Sequence, residues 1–143
     1  MRFSKALPLA LGLPMACMTI DGALASVTVR IELSSQTMNV AVDGASFATW
    51  PISTARRGYR TPVGTYRPQS LQRMHYSRLY DNTPMPYSIF FHSGWAVHGT
   101  SEVGNLGRPV SHGCVRLSPD NAHALFDLIR TQGPQNTTIE IVR

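Results

Sequence analysis

Apolar and polar residues alternate along Val27-Thr28-Val29-Arg30-Ile31-Glu32-Leu33, the period of two that a strand with one buried face shows. Thr37 to Val42 repeats the pattern, and Asp43-Gly44 supplies a two-residue turn before a third run from Ser46 to Ser53. A strand meander is therefore expected from residue 26 onward. Thr54 to Pro68, rich in arginine, glycine and proline, predicts a loop around the short run Gly64-Thr65-Tyr66. Residues 69–86 sustain neither period and predict an irregular excursion, a kind of long loop that is often functional. Two apolar strands, Tyr87 to Phe91 and Trp95 to His98, then meet at Ser93-Gly94, which puts His98 at a strand end.

A helical period follows Ser118-Pro119, where a hydroxyl cap and a proline at the first helical position start the helix and Asp120 suits its dipole. Ala122, Leu125, Phe126 and Ile129 recur at three and four, so one face is apolar and covers the sheet. Gly133-Pro134 ends the helix, and Thr137 to Val142 closes the chain as a strand. These elements predict a mainly β single domain, a β-sandwich or rolled sheet with one principal helix. There is no internal repeat and no linker.

At 143 residues, with 43% hydrophobic and 15% charged positions, the chain suits one packed domain rather than a disordered one. Its first residues differ in kind. Arg2 and Lys5 precede the apolar stretch Ala6 to Ile20 and then Ala23-Leu24-Ala25, the order of a secretory signal peptide cleaved after Ala25. The run is shorter than the roughly 20 residues a membrane span needs, and Pro8 and Pro14 interrupt it. Cys17 is an alternative lipid attachment point, although Leu13-Pro14-Met15-Ala16 matches such a site poorly. Once residues 1–25 are removed, Cys114 is the only thiol and no intramolecular disulfide can form.

The formal charge is +5, and every basic residue beyond Lys5 is arginine. Two readings stand side by side: attraction to an anionic polymer whose carboxylates a guanidinium can fork, or solubility with biased codon usage. No basic cluster alternates with aromatics as in nucleic-acid binding, and export argues against such a partner.

Val110-Ser111-His112-Gly113-Cys114-Val115-Arg116-Leu117 places that thiol directly after a glycine and between a histidine and an arginine. The thiolate is the nucleophile, and a cysteine of pKa about 8.5 offers little of it at neutral pH, so cationic neighbours and a base raise its share. A glycine lets backbone approach a bound carbonyl, and successive main-chain N–H groups there can hold an oxyanion.

With Val97-His98-Gly99-Thr100 and Leu106-Gly107-Arg108-Pro109 before it, this segment resembles the signature of the L,D-transpeptidase catalytic domain family (YkuD-like). Ser53-Thr54 and Thr61-Pro62-Val63-Gly64-Thr65-Tyr66 are similar to that family's upstream strand and turn, and Ser118 to Ile129 to the helix after its cysteine. The resemblance makes residues 26–143 the catalytic domain. It implies Cys114 as nucleophile, His98 as proton acceptor, the Gly99 carbonyl as the group orienting that ring, and main-chain N–H groups at Gly113 and Cys114 as oxyanion donors. Arg116 stands where the family often has asparagine and marks a subgroup. Arg116, Ser111 and His112 are candidate substrate contacts, with structural roles for each left open beside that.

The implied reaction attacks the carbonyl joining the third residue of a peptidoglycan stem to its terminal D-alanine and leaves an acyl-enzyme. A diamino acid amine then gives a 3-3 cross-link, a lysine gives an envelope protein anchored to peptidoglycan, and water gives an L,D-carboxypeptidase product. No cofactor or metal is required. A monomer in the periplasm or cell envelope is expected. Two readings from other classes remain open: a zinc hydrolase drawing on His92, His98, His112 and Cys114, and a non-catalytic wall-binding module. Against zinc, the sequence holds no H-E-x-x-H and no C-x-x-C.

Overall fold

The structure is a computed structural model that describes Gly12 and residues 22–143. The export signal expected over residues 1–25 lies mainly, and Cys17 wholly, outside those residues. The described elements run β1 (Val27–Glu32), β2 (Thr37–Val42), β3 (Ala45–Pro51), β4 (Gly64–Tyr66), β5 (Ser70–Ser77), β6 (Thr83–His92), β7 (Trp95–Gly99), β8 (Val115–Leu117), α1 (Pro119–Gln132) and β9 (Thr137–Val142).

β1, β2 and β3 form the expected antiparallel meander, with β9 added parallel to β1 and β4 antiparallel to β9, giving the order β3-β2-β1-β9-β4. A second sheet runs β5-β6-β7-β8. The alternation read in β1 and β9 is the reason for the layering: Val27, Val29, Ile31, Ile139 and Ile141 all point into one core with Phe91, Val97 and Leu117 from the second sheet. Fully burying a large aliphatic side chain is worth about 1.5–3 kcal/mol, so this shared interior is the principal stabilising term.

α1 begins where its cap predicts. The Ser118 side chain accepts a hydrogen bond from the Asn121 N–H, Pro119 sits at the first helical position and Asp120 lies in the first turn. Its buried face of Ala122, Leu125, Phe126 and Ile129 packs on β6 and β7. Among the described residues this is the single long helix of a mainly β, two-sheet domain, as the sequence implied.

One expectation is overturned. Residues 69–86 are not an irregular excursion but most of a hairpin, in which β5 pairs antiparallel with β6 from Ser70↔Phe90 to Ser77↔Thr83. No residue of β5 is fully buried and Leu71 alone packs partly on the core, so no hydrophobic alternation marks it. Pro84 and Pro86 are tolerated because β7 pairs only from Ile89 onward, which leaves the proline end of β6 with a partner on one side. The turn signal was present: Tyr80-Asp81-Asn82-Thr83 closes with a Thr83 N–H to Tyr80 carbonyl bond of 3.0 Å, and both central residues have positive φ.

Candidate active site

The short strand β8, three residues long, was not legible as a strand, and it carries the geometry. It lies parallel to β7 with Val97↔Val115, His98↔Arg116 and Gly99↔Leu117 in register. Side chains alternate across a sheet, so Val97, Val115 and Leu117 enter the core while His98 and Arg116 share the opposite face. Cys114, two positions before Arg116, faces the same way. On its other side β8 bonds to the end of the meander, Ser53 N–H to Arg116 carbonyl at 3.1 Å and Arg116 N–H to Ser53 carbonyl at 2.8 Å.

Cys114, His98, Ser111, His112 and Arg116 thus line one cleft of about 540 Å³, the first four being every side-chain-bearing site residue proposed from sequence besides Arg116. The wall facing them comes from the β5–β6 hairpin, including His75, Leu79 and Tyr80. Cys114 is a free, partly exposed thiol whose Sγ points at the Gly94 carbonyl, 3.9 Å away. It is not sealed in the core.

His98 is 5% exposed, and its Nδ1 lies 2.7 Å from the Gly99 carbonyl. A carbonyl only accepts, so Nδ1 carries the proton and Nε2 is left with its lone pair. Burial pulls the His98 pKa down to about 4; the Gly99 bond acts against that, and Arg116 and His75 add to it. Burial likewise pushes the Cys114 thiol up, outweighing the Ala96 backbone and Arg116, which act in the other direction. The sequence suggested that cationic neighbours raise the thiolate share. Arg116 does act that way, but desolvation wins, and the resting pair is thiol and neutral imidazole.

Gly113 is required by two measurements. Its φ is +139°, and a Cβ there would stand 2.8 Å from Trp95 Nε1 and 2.9 Å from the Arg60 carbonyl. Its N–H donates to Ser111 Oγ at 3.0 Å, so it is already engaged within the loop rather than aimed into the cleft. At Gly99 the constraint is packing: a Cβ would meet Pro119 Cα at 3.2 Å where the helix start crosses β7.

Ser111 has no exposed surface, and its hydroxyl also donates to the Cys114 carbonyl at 2.6 Å. Those bonds make it a clamp on the cysteine loop, the structural one of the two roles left open for it, with its one hydroxyl proton already committed to the Cys114 carbonyl. His112 stacks on Tyr80 of the hairpin turn, centroids 4.1 Å apart, and meets Tyr59 edge-on at 4.9 Å. Burial, then Arg56 and Arg116, hold its pKa below the ordinary value. Arg116 pairs with Glu102 at 3.2 Å. Glu102 sits in an irregular segment with no pattern that could have singled it out.

Tyr80 and Trp95 line the cleft, whereas Tyr87 stacks on His123 away from it. Among the described residues no three His, Cys, Asp or Glu side chains gather closely enough to hold a metal ion. His92, one of the four residues of the alternative zinc set, stacks on Trp95 instead. A thiol and a neutral imidazole with one ring nitrogen fixed, both lining one cleft, are the groups that nucleophilic acyl transfer uses.

Comparison with known proteins identifies the family. The profile of the family described as YkuD: L,D-transpeptidase catalytic domain matches residues 26–141. L,D-transpeptidase 1 of Mycobacterium tuberculosis is 32% identical over 125 residues, covering 78% of this chain and 48% of that protein. The putative L,D-transpeptidase YkuD of Bacillus subtilis is 22% identical over 119 residues, 80% of this chain and 65% of the relative. Among solved structures, an L,D-transpeptidase from Mycobacterium smegmatis superposes with a TM-score of 0.75 at 26% identity, covering 83% of this chain and 59% of that one. LdtMt1, solved in complex with imipenem, gives 0.72 at 29% identity, covering 82% and 59%. The chain therefore spans about half the length of the first of these curated relatives. By the match over nearly all of its described residues, it belongs to the L,D-transpeptidase catalytic domain family.

Proposed function

We propose that this protein is an L,D-transpeptidase of the cell envelope that forms an acyl-enzyme on Cys114 from a peptidoglycan tetrapeptide stem. The single observation carrying this is the β7–β8 register, which sets the nucleophile's loop beside a histidine whose Nδ1 is held by Gly99.

In the first step the His98 Nε2 takes the thiol proton as Sγ attacks the carbonyl between the third stem residue and the terminal D-alanine. The tetrahedral oxyanion forms next to the Cys114 N–H; the Gly113 N–H joins it only by giving up Ser111 Oγ. The C–N bond then breaks, the departing D-alanine amine takes the proton from the His98 imidazolium, and a thioester remains. In the second step an amine attacks the thioester, His98 takes its proton, and the Cys114 thiol is restored. A neutral resting pair suits this sequence, because the proton moves as the S–C bond forms rather than beforehand. Gly99 is the positioning group for His98, and Ser111 for the loop.

Arg116 meets a substrate carboxylate in this reading by exchanging its partner Glu102, which is the solvent-exposed member of the pair and so the one free to leave. The hairpin forms the cleft wall, tied across it by the Tyr80–His112 stack. Export past the inner membrane, a diamino acid amine or protein lysine as acceptor, and action as a monomer complete the reading.

Product analysis tests it. A purified protein given a tetrapeptide stem with a diamino acid third residue is expected to release D-alanine and yield the 3-3 dimer. Tripeptide alone would make it a carboxypeptidase. Activity lost to a chelator but resistant to a thiol alkylator would overturn the cysteine mechanism in favour of a metal.

A further inference from the structure

A second cleft of about 520 Å³ opens beside the catalytic one, and Tyr59 belongs to the wall between them: it lines the second cleft while its ring touches His112 of the first. Among the described residues Arg60 lines this second cleft and no Asp or Glu does; Arg143, also in the lining, carries a main-chain carboxylate beside its guanidinium. Arg60 belongs to an exposed run, Arg56-Arg57-Gly58-Tyr59-Arg60. Among the described residues none of its three arginines forms an ion pair, whereas Arg30, Arg116 and Arg130 each meet an acid.

The run is also rigidly joined to the nucleophile. The Arg56 N–H donates to the Ser111 carbonyl at 2.9 Å, and Thr61 Oγ1 donates to the Gly113 carbonyl at 2.8 Å while accepting from the Ala55 N–H at 3.0 Å. Trp95 Nε1 donates to the Arg60 carbonyl at 3.2 Å, and the Arg56 guanidinium packs over Tyr59. Unpaired guanidiniums on a loop fixed at both ends cost little further ordering when they bind, and their planar fork matches a carboxylate.

From this we infer that the second cleft is a carboxylate-recognising subsite, built on Arg60, that holds a stem peptide next to the thioester formed at Cys114. The inference rests on the proposed function for its ligand class and goes beyond it in assigning a site. A peptide held there lies across the Tyr59–His112 contact from the catalytic cleft, so the subsite selects stem peptides that carry free carboxylates.

The test uses a stem tripeptide ending in a diamino acid with free carboxylates. It has no fourth residue to release and so reports binding apart from turnover. Titrated into the protein with Cys114 alkylated by iodoacetamide, it is expected to shift the NMR signals of Arg60 Nε–Hε and of the Tyr59 and Thr61 amides. The fully amidated tripeptide should bind about tenfold or more weakly, the loss of one charge-assisted fork. Arg60→Gln, a change at an exposed side chain, should weaken the free-acid peptide by a similar factor, and Arg60→Lys, which keeps charge without the fork, should recover only part. Equal affinity for acid and amide, unchanged binding in Arg60→Gln, or shifts confined to His98 and Arg116 would overturn the subsite. Equal competition by inorganic phosphate would also overturn it, as a general anion site. Tetrapeptide adduct formation on Cys114 in an aliquot of the same protein that has not been alkylated separates the two readings. With the adduct formed and no carboxylate-dependent binding, the subsite alone fails; with binding at Arg60 and no adduct, the transpeptidase reading fails.

Discussion

The β7–β8 seam and the β5–β6 hairpin face each other across the catalytic cleft, and they are held by different forces. At the seam, main-chain hydrogen bonds do the holding: β8 is bonded to β7 on one side and Ser53 on the other, and the cysteine loop is clamped through Ser111 and Thr61. The hairpin is largely exposed, with Leu79 at 85% and Tyr76 at 53%, and the contact of its turn with the opposite bank is the Tyr80–His112 ring stack. Backbone bonds fix reacting atoms to fractions of an ångström, while a surface stack of about 0.5–1.5 kcal/mol can open. Under the proposed function, chemistry falls to the seam and substrate access to the hairpin.

Substitutions on the two sides should therefore differ in kind. Cys114→Ala is expected to remove acyl-enzyme formation altogether, with D-alanine release down by at least about a thousandfold while the fold persists, since a lost nucleophile is not replaced by its neighbours. A circular dichroism spectrum alongside the assay checks both halves. His98→Gln should cost on the order of a hundredfold to ten-thousandfold in single-turnover acylation, the range of a positioned base.

Titration of His98 gives the next effect. Its folded pKa of about 4 lies below the unfolded value near 6.5, so between these limits the unfolded chain binds the extra proton. Stability accordingly rises from pH 4 to 6.5 and is lost as pH falls through that window, by on the order of 3 kcal/mol in all. Urea unfolding at several pH values should show this slope in the parent and a flatter one in His98→Gln. Acylation should keep its base form down to about pH 4, with no inflection near pH 6.5 from this group.

Gly113→Ala puts a Cβ against Trp95 and the Arg60 carbonyl at a φ of +139° and should cost about 1–3 kcal/mol in thermal unfolding, with slowed acylation as the loop shifts. The smallest change belongs to the hairpin. Tyr80→Ala removes the stack, so about 1 kcal/mol or less of stability is expected to go, and the substrate effect should appear in KM rather than in the acylation rate. A Tyr80→Ala protein as impaired in acylation as His98→Gln would break the distinction between the two banks.

The same contrast explains what could be read from the chain. β1, β2, β9 and α1 each bury one face against a common core, so their periods of two and 3.6 survive in the sequence, and Ser118 and Gly133 mark the helix ends through local hydrogen bonds. β5 buries only part of Leu71 against the core and leaves no period, although Asp81-Asn82 in the left-handed region did mark its turn. β8 was hidden for another reason: three residues are too few to show a period, and its partner β7 lies more than a dozen positions upstream. Cys114 and His98 were identifiable through the family signature around them. That Arg116 pairs with Glu102, and that Ser111 turns inward to hold the loop, depend on tertiary placement that local sequence does not encode.

The account turns on the sulfur of residue 114 being the atom that carries the acyl group. Intact-protein mass spectrometry after incubation with a tetrapeptide stem, followed by peptide mapping, reads this directly. The predicted result is a mass gain equal to the stem minus D-alanine, located on Cys114 and absent from Cys114→Ala. An adduct on another residue, or D-alanine released at full rate by Cys114→Ala, would contradict it.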